Sequence, residues 1–351
     1  MKKTIRYLIE KFKINIAVNR TLFVFILTFS FLSAQWFIIN DEGINRTYFV
    51  SYPDNSEGEV ALIINMHGYG GNATNQQIYS NMDQIAHSQN IAVVYPQGFN
   101  SSWNVFTYWD SNFLDDVTFI SIMIDEILQN FDIDSDRIYA CGMSNGGYMA
   151  YRLACDLSDK IAAFGSVTGN FMINDSINDC LDQNRDIPII HFHGTSDGVV
   201  NYYPPSFDGS LTVQESVQFW TSYNNLNQEL TEYVNDSVEV FRYFSQSSIA
   251  EFVHYKVYGG GHDWFGSPWS TDWGFDTTQE LINFFLQYKL SDFINNYSSG
   301  DLNQDNLINI QDIIILVNLI LAEEFDLEAD INLDSAVNVL DIIELVNIIL
   351  Q

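Results

Sequence analysis

The stretch RIYACGMSNGGYMAYRLAC, residues 137–155, decides the fold. Its first part, Arg137 to Gly142, is an apolar run of strand length, and its last part, Asn145 to Cys155, has helical spacing. Between them stands Gly142-Met143-Ser144-Asn145-Gly146, a G-x-S-x-G. A strand that turns at once into a helix leaves little room beside the turn residue. Small residues two positions to either side are therefore a steric demand, and the serine is presented at the tip. The competing reading is a chance glycine turn.

Outward from this unit, residues 36–287 alternate short apolar runs with helical segments, the pattern of a sheet wrapped by helices. Strands are predicted at Glu59 to Met66, Ile91 to Tyr95, Arg137 to Gly142, Ile161 to Val167, Pro188 to His193 and Glu251 to Tyr258. Several are apolar throughout, as strands covered on both faces should be. Helices are predicted at Val117 to Phe131, Asn145 to Cys155, Val213 to Tyr223 and Thr277 to Tyr288, and an antiparallel hairpin near Trp36 to Tyr52.

A serine hydroxyl is a poor nucleophile at neutral pH, so Ser144 needs a base and an acid to orient that base. His262 lies in Gly259-Gly260-Gly261-His262-Asp263-Trp264, directly after the last predicted strand. Asp197 lies in His193-Gly194-Thr195-Ser196-Asp197, just past the preceding one. Among the rivals, His87 falls in a polar helical stretch, and His191 and His254 lie inside strands, where structural roles fit better. His193 is too near Asp197 in sequence to serve Ser144 as base, and the side chain of Asp263 should point away from its neighbour His262.

The glycine-rich loop His67-Gly68-Tyr69-Gly70-Gly71-Asn72 follows a predicted buried strand. It can present backbone N–H groups to a developing oxyanion, which assigns that hole to the N–H groups of Tyr69 and Asn145. A structural glycine turn is the alternative. Tyr69, Trp103, Tyr108, Trp109, Trp264, Trp269 and Trp273 are candidates for a substrate platform, with Trp103 and Trp264 put forward first. Ordinary packing of aromatics competes for each. Asp115 and Asp116, beside a helix start, read as caps.

Taken in order, HGYGGN (67–72), YPQG (95–98), DDVTFI (115–120), GMSNGGYMAYRLAC (142–155), HGTSD (193–197) and GGGHDW (259–264) resemble the polyhydroxybutyrate depolymerase and feruloyl or acetylxylan esterase group of secreted carbohydrate esterases, family 1-like, over roughly residues 40–289. The order Ser144, Asp197, His262 is also that of α/β-hydrolases. The resemblance implies an α/β-hydrolase fold, a doubly wound and mostly parallel sheet, and hydrolysis of carboxylic esters without a catalytic cofactor. It carries the roles of nucleophile, acid and base onto Ser144, Asp197 and His262. The implied substrates are feruloyl or acetyl esters of polysaccharide, or polyhydroxyalkanoate. Where relatives often have a proline two residues after the tryptophan of the histidine loop, this chain has Phe265-Gly266 and a longer aromatic insert.

Composition shifts after Leu290 to SDFINNYSSG, and beyond it lies a repeat. Residues 301–312 (DLNQDNLINIQD) recur as residues 330–341 (DINLDSAVNVLD), each copy leading into an apolar helical run. Calcium takes six or more oxygens, and a twelve-residue EF-hand-type loop supplies them from positions 1, 3, 5, 7, 9 and 12. Those positions are Asp301, Asn303, Asp305, Leu307 (backbone), Asn309 and Asp312. In the second copy they are Asp330, Asn332, Asp334, Ala336 (backbone), Asn338 and Asp341. The pair resembles a type I dockerin, except that Asn306 and Ser335 replace the common glycine at position 6. The resemblance implies a small all-α domain holding two calcium ions and docking onto a cohesin partner; a self-contained calcium-stapled cap is the alternative.

The chain carries 14 Lys+Arg against 45 Asp+Glu. Six of the bases and one acid lie in the first 34 residues, so removal of that segment leaves 8 against 44, a formal charge of −36. Such a surface repels nucleic acid and an anionic membrane and favours a neutral polymer as partner. The same segment has a basic stretch, an apolar run from Leu22 to Leu32, and Ser33-Ala34-Gln35 as a cleavage point, the pattern of a signal peptide for export. The run is shorter than the roughly 20 residues of a bilayer span, and an uncleaved anchor is the minor alternative. Of the three cysteines, Cys141 sits in an apolar run and reads as a buried thiol, which leaves Cys155 and Cys180 as a disulfide by elimination. The expected organisation is a leader over 1–34, an esterase domain over 35–289, a linker over 290–299 and the repeat domain over 300–351. Two other functions stay open: a serine peptidase on the same fold, and a scaffold-attached binding protein without catalysis.

Overall fold

The computed structural model describes residues 35–351 apart from 42, 55, 57, 108–111, 174–179, 181–184, 207–208, 295–299, 304–307, 323–328, 333–335 and 351. The leader expected over residues 1–34 lies outside the described residues. The chain divides into two compact units, the first ending at Tyr288 and the second running from Lys289 to Gln351. Among the described residues no helix is long and apolar enough to cross a membrane.

In the first unit, ten strands form one sheet. They are β1 (Gln35–Asp41), β2 (Ile44–Ser51), β3 (Val60–Met66), β4 (Ile91–Pro96), β5 (Ile133–Met143), β6 (Ala163–Val167), β7 (Ile189–Gly194), β8 (Gln228–Asn235), β9 (Val238–Phe244) and β10 (Phe252–Val257). The order is β1-β2-β4-β3-β5-β6-β7-β10-β9-β8. The central run from β4 to β10 is parallel, and the antiparallel pairs lie at the two ends. Every residue of β3, β4, β6 and β7 is buried, as strands covered on both faces should be.

The helices around the sheet are α1 (Ala73–Ser80), α2 (Met82–Ser88), α3 (Asp116–Asn130), α4 (Asn145–Asp156), α5 (Val213–Tyr223) and α6 (Thr277–Phe285). Helix α3 buries Phe119, Ile120, Met123, Ile124 and Ile127 on one face. Its start is fixed by Asp115, whose side chain accepts from Thr118 N at 3.1 Å, a cap of the kind that contributes ~1 kcal/mol. Asp116 does not share that role. It is buried in an ion pair with Arg46 and also accepts from the backbone N–H of Asn104 at 2.6 Å, because an acid enclosed here needs a cationic partner. Thr212 and Glu215 form a reciprocal capping box on α5.

All six predicted strands form with ends shifted by a few residues, the largest shift being at β5, which starts at Ile133. The β8–β9 hairpin carries no expectation from sequence, because β8 (QELTEYVN) is polar and mostly exposed and shows no alternation of apolar and polar positions. A disulfide joins Cys155 at the end of α4 to Cys180, and Cys141 is a buried free thiol whose pKa burial pushes up.

The second unit contains α7 (Ser291–Ile294), α8 (Ile310–Ala322) and α9 (Val339–Ile349). Leu316, Ala329 and Leu345 form its small core, with Ile308, Ile331 and Val337 packed against them. The described residues of the two copies of the repeat share a hydrogen-bond pattern at the last acid of each loop. Asp312 accepts from Asn303 N (3.1 Å) and Asn309 N (2.8 Å), and Asp341 accepts from Ile331 N (2.9 Å), Asn332 N (3.2 Å) and Asn338 N (2.8 Å). Each last acid of the loop thus ties the loop to the first turn of its helix.

Candidate active site

Ser144 joins β5 to α4 with φ 54° and ψ −122°. A positive φ on a residue with a Cβ costs of order 1–3 kcal/mol and persists only when the surroundings enforce it. Here Ser144 N donates to Val167 O (2.8 Å), and Ser144 O accepts from Gly147 N (2.7 Å) and Tyr148 N (2.9 Å). A Cβ on Gly142 would lie 2.4 Å from Gly146 O, and one on Gly146 would lie 2.3 Å from Met66 O. The two glycines are required because three backbone segments meet there.

Asp197 follows β7 and is buried. Its Oδ1 accepts from Val199 N (2.8 Å) and Val200 N (2.9 Å), and its Oδ2 accepts from His262 Nδ1 (2.8 Å), with His193 Nε2 at 3.4 Å from the same oxygen. Burial works to raise its pKa, but the hydrogen bonds from His193 and His262 outweigh this and hold the carboxyl well below the usual carboxylate range. The loop bearing His262 is fastened to the end of β7: Ser196 N donates to Gly260 O (2.9 Å), Thr195 N to Val257 O (2.8 Å), and Gly259 N to Thr195 Oγ1 (2.9 Å).

Ser144 and His262 line one pocket of about 250 Å³. Its other walls come from the 67–72 loop and from Asn75, Gln76 and Tyr79 of α1. A Cβ on Gly68 would sit 3.3 Å from Ser144 Cβ and 3.9 Å from Ser144 Oγ, so the loop backbone runs directly past the serine. The turn is closed by Gly71 N donating to Gly68 O (3.0 Å) and anchored by Gly70 N donating to Ser101 O (2.8 Å). Asn145 is the first residue of α4, where a backbone N–H has no carbonyl within the helix to bond. Its side chain is engaged elsewhere, accepting from Trp103 N (2.7 Å) and donating to Trp103 O (3.1 Å).

His67 also lines the pocket, but both ring nitrogens are used: Nδ1 donates to Gly68 O (2.8 Å) and Nε2 accepts from Gly98 N (3.0 Å). Burial lowers its pKa to about 4, against the opposing pull of the Gly68 carbonyl, so it is a neutral structural histidine.

Two expectations about the pocket wall are corrected. Trp103 and Trp264 are not platform residues, since both are 0 % exposed. Their indole N–H groups donate to His67 O (2.8 Å) and Thr278 Oγ1 (2.9 Å), which makes them internal struts of the loops they carry. Among the described platform candidates, the exposed ones are Tyr69 (59 %), at the pocket, and Trp269 (69 %), whose Nε1 donates to Ile78 O at 3.4 Å. Tyr108 and Trp109 lie outside the described residues.

Tyr79, which sequence reasoning missed, both lines the pocket and donates its hydroxyl hydrogen to Asp263, beside His262. The N-cap Asn72, accepting from Asn75 N at 2.9 Å, is the sequence signal that could have placed this helix at the pocket.

Of the twelve expected calcium ligands, Asp305, Leu307 and Asp334 lie outside the described residues. Asp301, Asp312, Asp330 and Asp341 are all buried. Among the described residues, no group of three or more His, Cys, Asp or Glu stands in a metal-holding arrangement.

A mostly parallel sheet in this strand order, with a serine at positive φ between a central strand and the next helix, defines the α/β-hydrolase class. The chain belongs to the phospholipase/carboxylesterase family, which matches residues 49–244. It is 27 % identical over 248 residues to a bifunctional acetylxylan esterase/xylanase of Neocallimastix patriciarum, covering 71 % of this chain and 34 % of the relative. It is 33 % identical over 166 residues to feruloyl esterase B of Piromyces equi, covering 45 % of this chain and 30 % of the relative. The chain therefore spans about a third of the length of each. Among solved structures, an acetyl xylan esterase from Aspergillus awamori shares the fold with a TM-score of 0.53 at 15 % identity, covering 72 % of this chain and 99 % of that one.

Proposed function

We propose that this chain hydrolyses carboxylic esters by serine acyl transfer. The observation that carries the reading is the 2.8 Å bond from His262 Nδ1 to Asp197 Oδ2, with His262 and Ser144 lining one pocket. With Nδ1 protonated and held by Asp197, Nε2 of His262 is left as the proton acceptor. His262 takes the hydroxyl proton of Ser144 as Oγ attacks the ester carbonyl. The backbone N–H groups of Tyr69 and Asn145 receive the oxyanion, each such donor contributing ~3 kcal/mol to the transition state. His262 then protonates the leaving alcohol, and water repeats the sequence on the acyl-enzyme. No cofactor is needed.

The substrate class is an ester carried on a neutral polymer: feruloyl or acetyl groups on polysaccharide, with polyhydroxyalkanoate as a further polyester. The acidic surface favours an uncharged partner, and the acetylxylan and feruloyl esterase relatives support the polysaccharide. The protein is exported after removal of residues 1–34. A test panel for residues 35–351 and Ser144→Ala contains a short p-nitrophenyl ester, methyl ferulate, acetylated xylan, polyhydroxybutyrate and a chromogenic peptide. Serine-dependent ester turnover is expected; turnover of the peptide alone assigns a peptidase instead, and inertness of both proteins on all five sinks the catalytic reading.

Residues 300–351, after a linker at 290–299, form a dockerin-like domain that holds two calcium ions through the loop oxygens named above and presents its helices to a cohesin-type partner. Four buried carboxylates in a unit with a single basic residue, Lys289, are a donor set suited to a hard cation, which would supply folding energy rather than catalysis. Calorimetric titration of the chelator-stripped chain should show two calcium sites that are lost in the Asp312→Ala, Asp341→Ala double variant. A heat profile identical in both proteins rejects the calcium assignment.

A further inference from the structure

Asp197 Oδ2 lies between two imidazoles, and only one of them belongs to the pocket. His193 is fully buried two residues beyond His191 on β7. Its Nε2 is 2.8 Å from Val200 O and 3.4 Å from Asp197 Oδ2, and its Nδ1 is 3.0 Å from His191 Nε2. His191 Nδ1 is in turn 2.7 Å from the hydroxyl of Tyr151 on α4. A carbonyl oxygen can only accept, so Nε2 of His193 carries a proton, and with one proton on the ring Nδ1 accepts. Nε2 of His191 must then donate and its Nδ1 accept, which makes Tyr151 the donor at the head of the chain. All the hydrogen bonds run one way, from Tyr151 through His191 and His193 to the Asp197–Val200 turn.

We propose that His193 is a positioning residue for the acid of the site, holding the Asp197 carboxylate and its turn in register with His262; this rests on the roles given above to Asp197 and His262. The turn closes on itself because Val200 N donates to Asp197 Oδ1 (2.9 Å) while Val200 O accepts from His193. The Nε2–H donor stabilises the buried carboxylate from the side away from the pocket.

Histidine, tyrosine and charged groups surround His193. His191 stands on its own strand and Tyr151 on α4. His254 of β10 packs against His191 at 5.3 Å between ring centroids. Lys256 is the β10 register partner of His193, with its Nζ 3.9 Å from Glu239 of β9 and 4.5 Å from the ring centre of Tyr258. Tyr202 meets His193 edge-on at 5.8 Å. On the pocket side stand Asp197, His262, Asp263 and Tyr79.

The test compares the pH profile of kcat/KM on a short ester for the parent, His193→Phe and His193→Gln, whose amide N–H can replace Nε2–H. Without the donor, negative charge on Asp197 concentrates toward His262, so protonated His262 is favoured and the acid limb moves to higher pH. In His193→Phe we expect kcat to fall about tenfold with KM within about threefold, and the acid limb to rise by about half a pH unit. His193→Gln should restore both. Tyr151→Phe, which touches neither Asp197 nor the pocket, should move the limb the same way by a smaller amount and decides the matter if His193→Phe does not fold. Nitrogen NMR should show His193 as the neutral Nε2–H tautomer. Ser144-dependent turnover with an unmoved acid limb, or equal behaviour of the Phe and Gln variants, overturns this proposal alone. A parent without Ser144-dependent turnover overturns it together with the esterase reading.

Discussion

Tyr79 on α1 and Asp263, 184 residues later, are joined by a hydrogen bond from the phenol to the carboxylate, and the N–H of Trp264 donates back to the same phenol oxygen at 3.3 Å. The residue beside the candidate base is thus moored to the pocket wall. Burial, reinforced by the bond to Asp263, pushes the phenol pKa up to about 12, so the donor is present throughout the working pH range. In Tyr79→Phe the loop bearing His262 loses this tie and Asp263 its partner. The expected outcome is a roughly tenfold loss of kcat/KM with an unchanged circular dichroism spectrum, since a small displacement of a catalytic group is costly. A variant with parental kinetics would show that the mooring does not matter.

Trp103→Phe tests the corrected role of that indole. Loss of the N–H leaves His67 O without that donor in a sealed interior, at a cost of ~1–3 kcal/mol. Denaturant unfolding should register this loss, while KM for a feruloylated or acetylated substrate stays near parental. A selective rise in KM with no stability change would return Trp103 to the substrate surface.

Stability should fall on acidification through a window set by buried histidines. Burial lowers His67 from 6.5 to about 4 and His254 from 6.5 to about 3. His191 is lowered as well, by burial first and then by its histidine neighbours. The unfolded chain takes up protons that the folded chain refuses. Their contribution is therefore complete above about pH 6.5 and is lost as pH falls toward the folded values, at up to ~1.4 kcal/mol per pH unit per histidine. Asp197, depressed from 3.8, adds its loss at the acid end of that window and below it. Urea midpoints at pH 7, 5.5 and 4 should fall in sequence; a flat series would contradict the neutral buried histidines.

The Cys155–Cys180 bond closes a loop with a sequence separation of 25 residues. Chain-entropy reasoning gives it ~3 kcal/mol through restriction of the unfolded state. The Cys155→Ala, Cys180→Ala double variant should lose about this much by denaturant titration, with activity on a short ester retained in the native range, because neither cysteine lines the pocket. An equally stable double variant would exclude a structural contribution from the bond.

What the sequence makes legible follows from which constraints are local. The turn at Ser144 is readable because Gly142 and Gly146 answer a clash within a few residues of themselves, and the buried strands are readable because apolar continuity is a property of each segment. Contacts between distant segments are not readable in this way. Asp116 looks like a second cap beside Asp115 until Arg46, 70 residues away, is brought against it. The Asn72 cap can mark the start of α1, but nothing in the sequence singles out Tyr79 before that helix is set against the His262 loop. Trp103 and Trp264 are ambiguous in principle, since an indole suits a sugar face and a protein interior equally, and only enclosure decides.

The pocket wall built by α1 has a consequence for how such a protein can change. Asn72, Asn75, Gln76 and Tyr79 all come from one short segment between β3 and β4, whereas Ser144, Asp197 and His262 come from the turns after β5, β7 and β10. Selectivity and chemical competence are therefore written in separate segments of the chain, linked at Tyr79, which donates to Asp263 and accepts from the N–H of Trp264. Grafting a different 72–79 segment, provided it keeps that one tyrosine, would redraw the wall while leaving the reacting groups untouched.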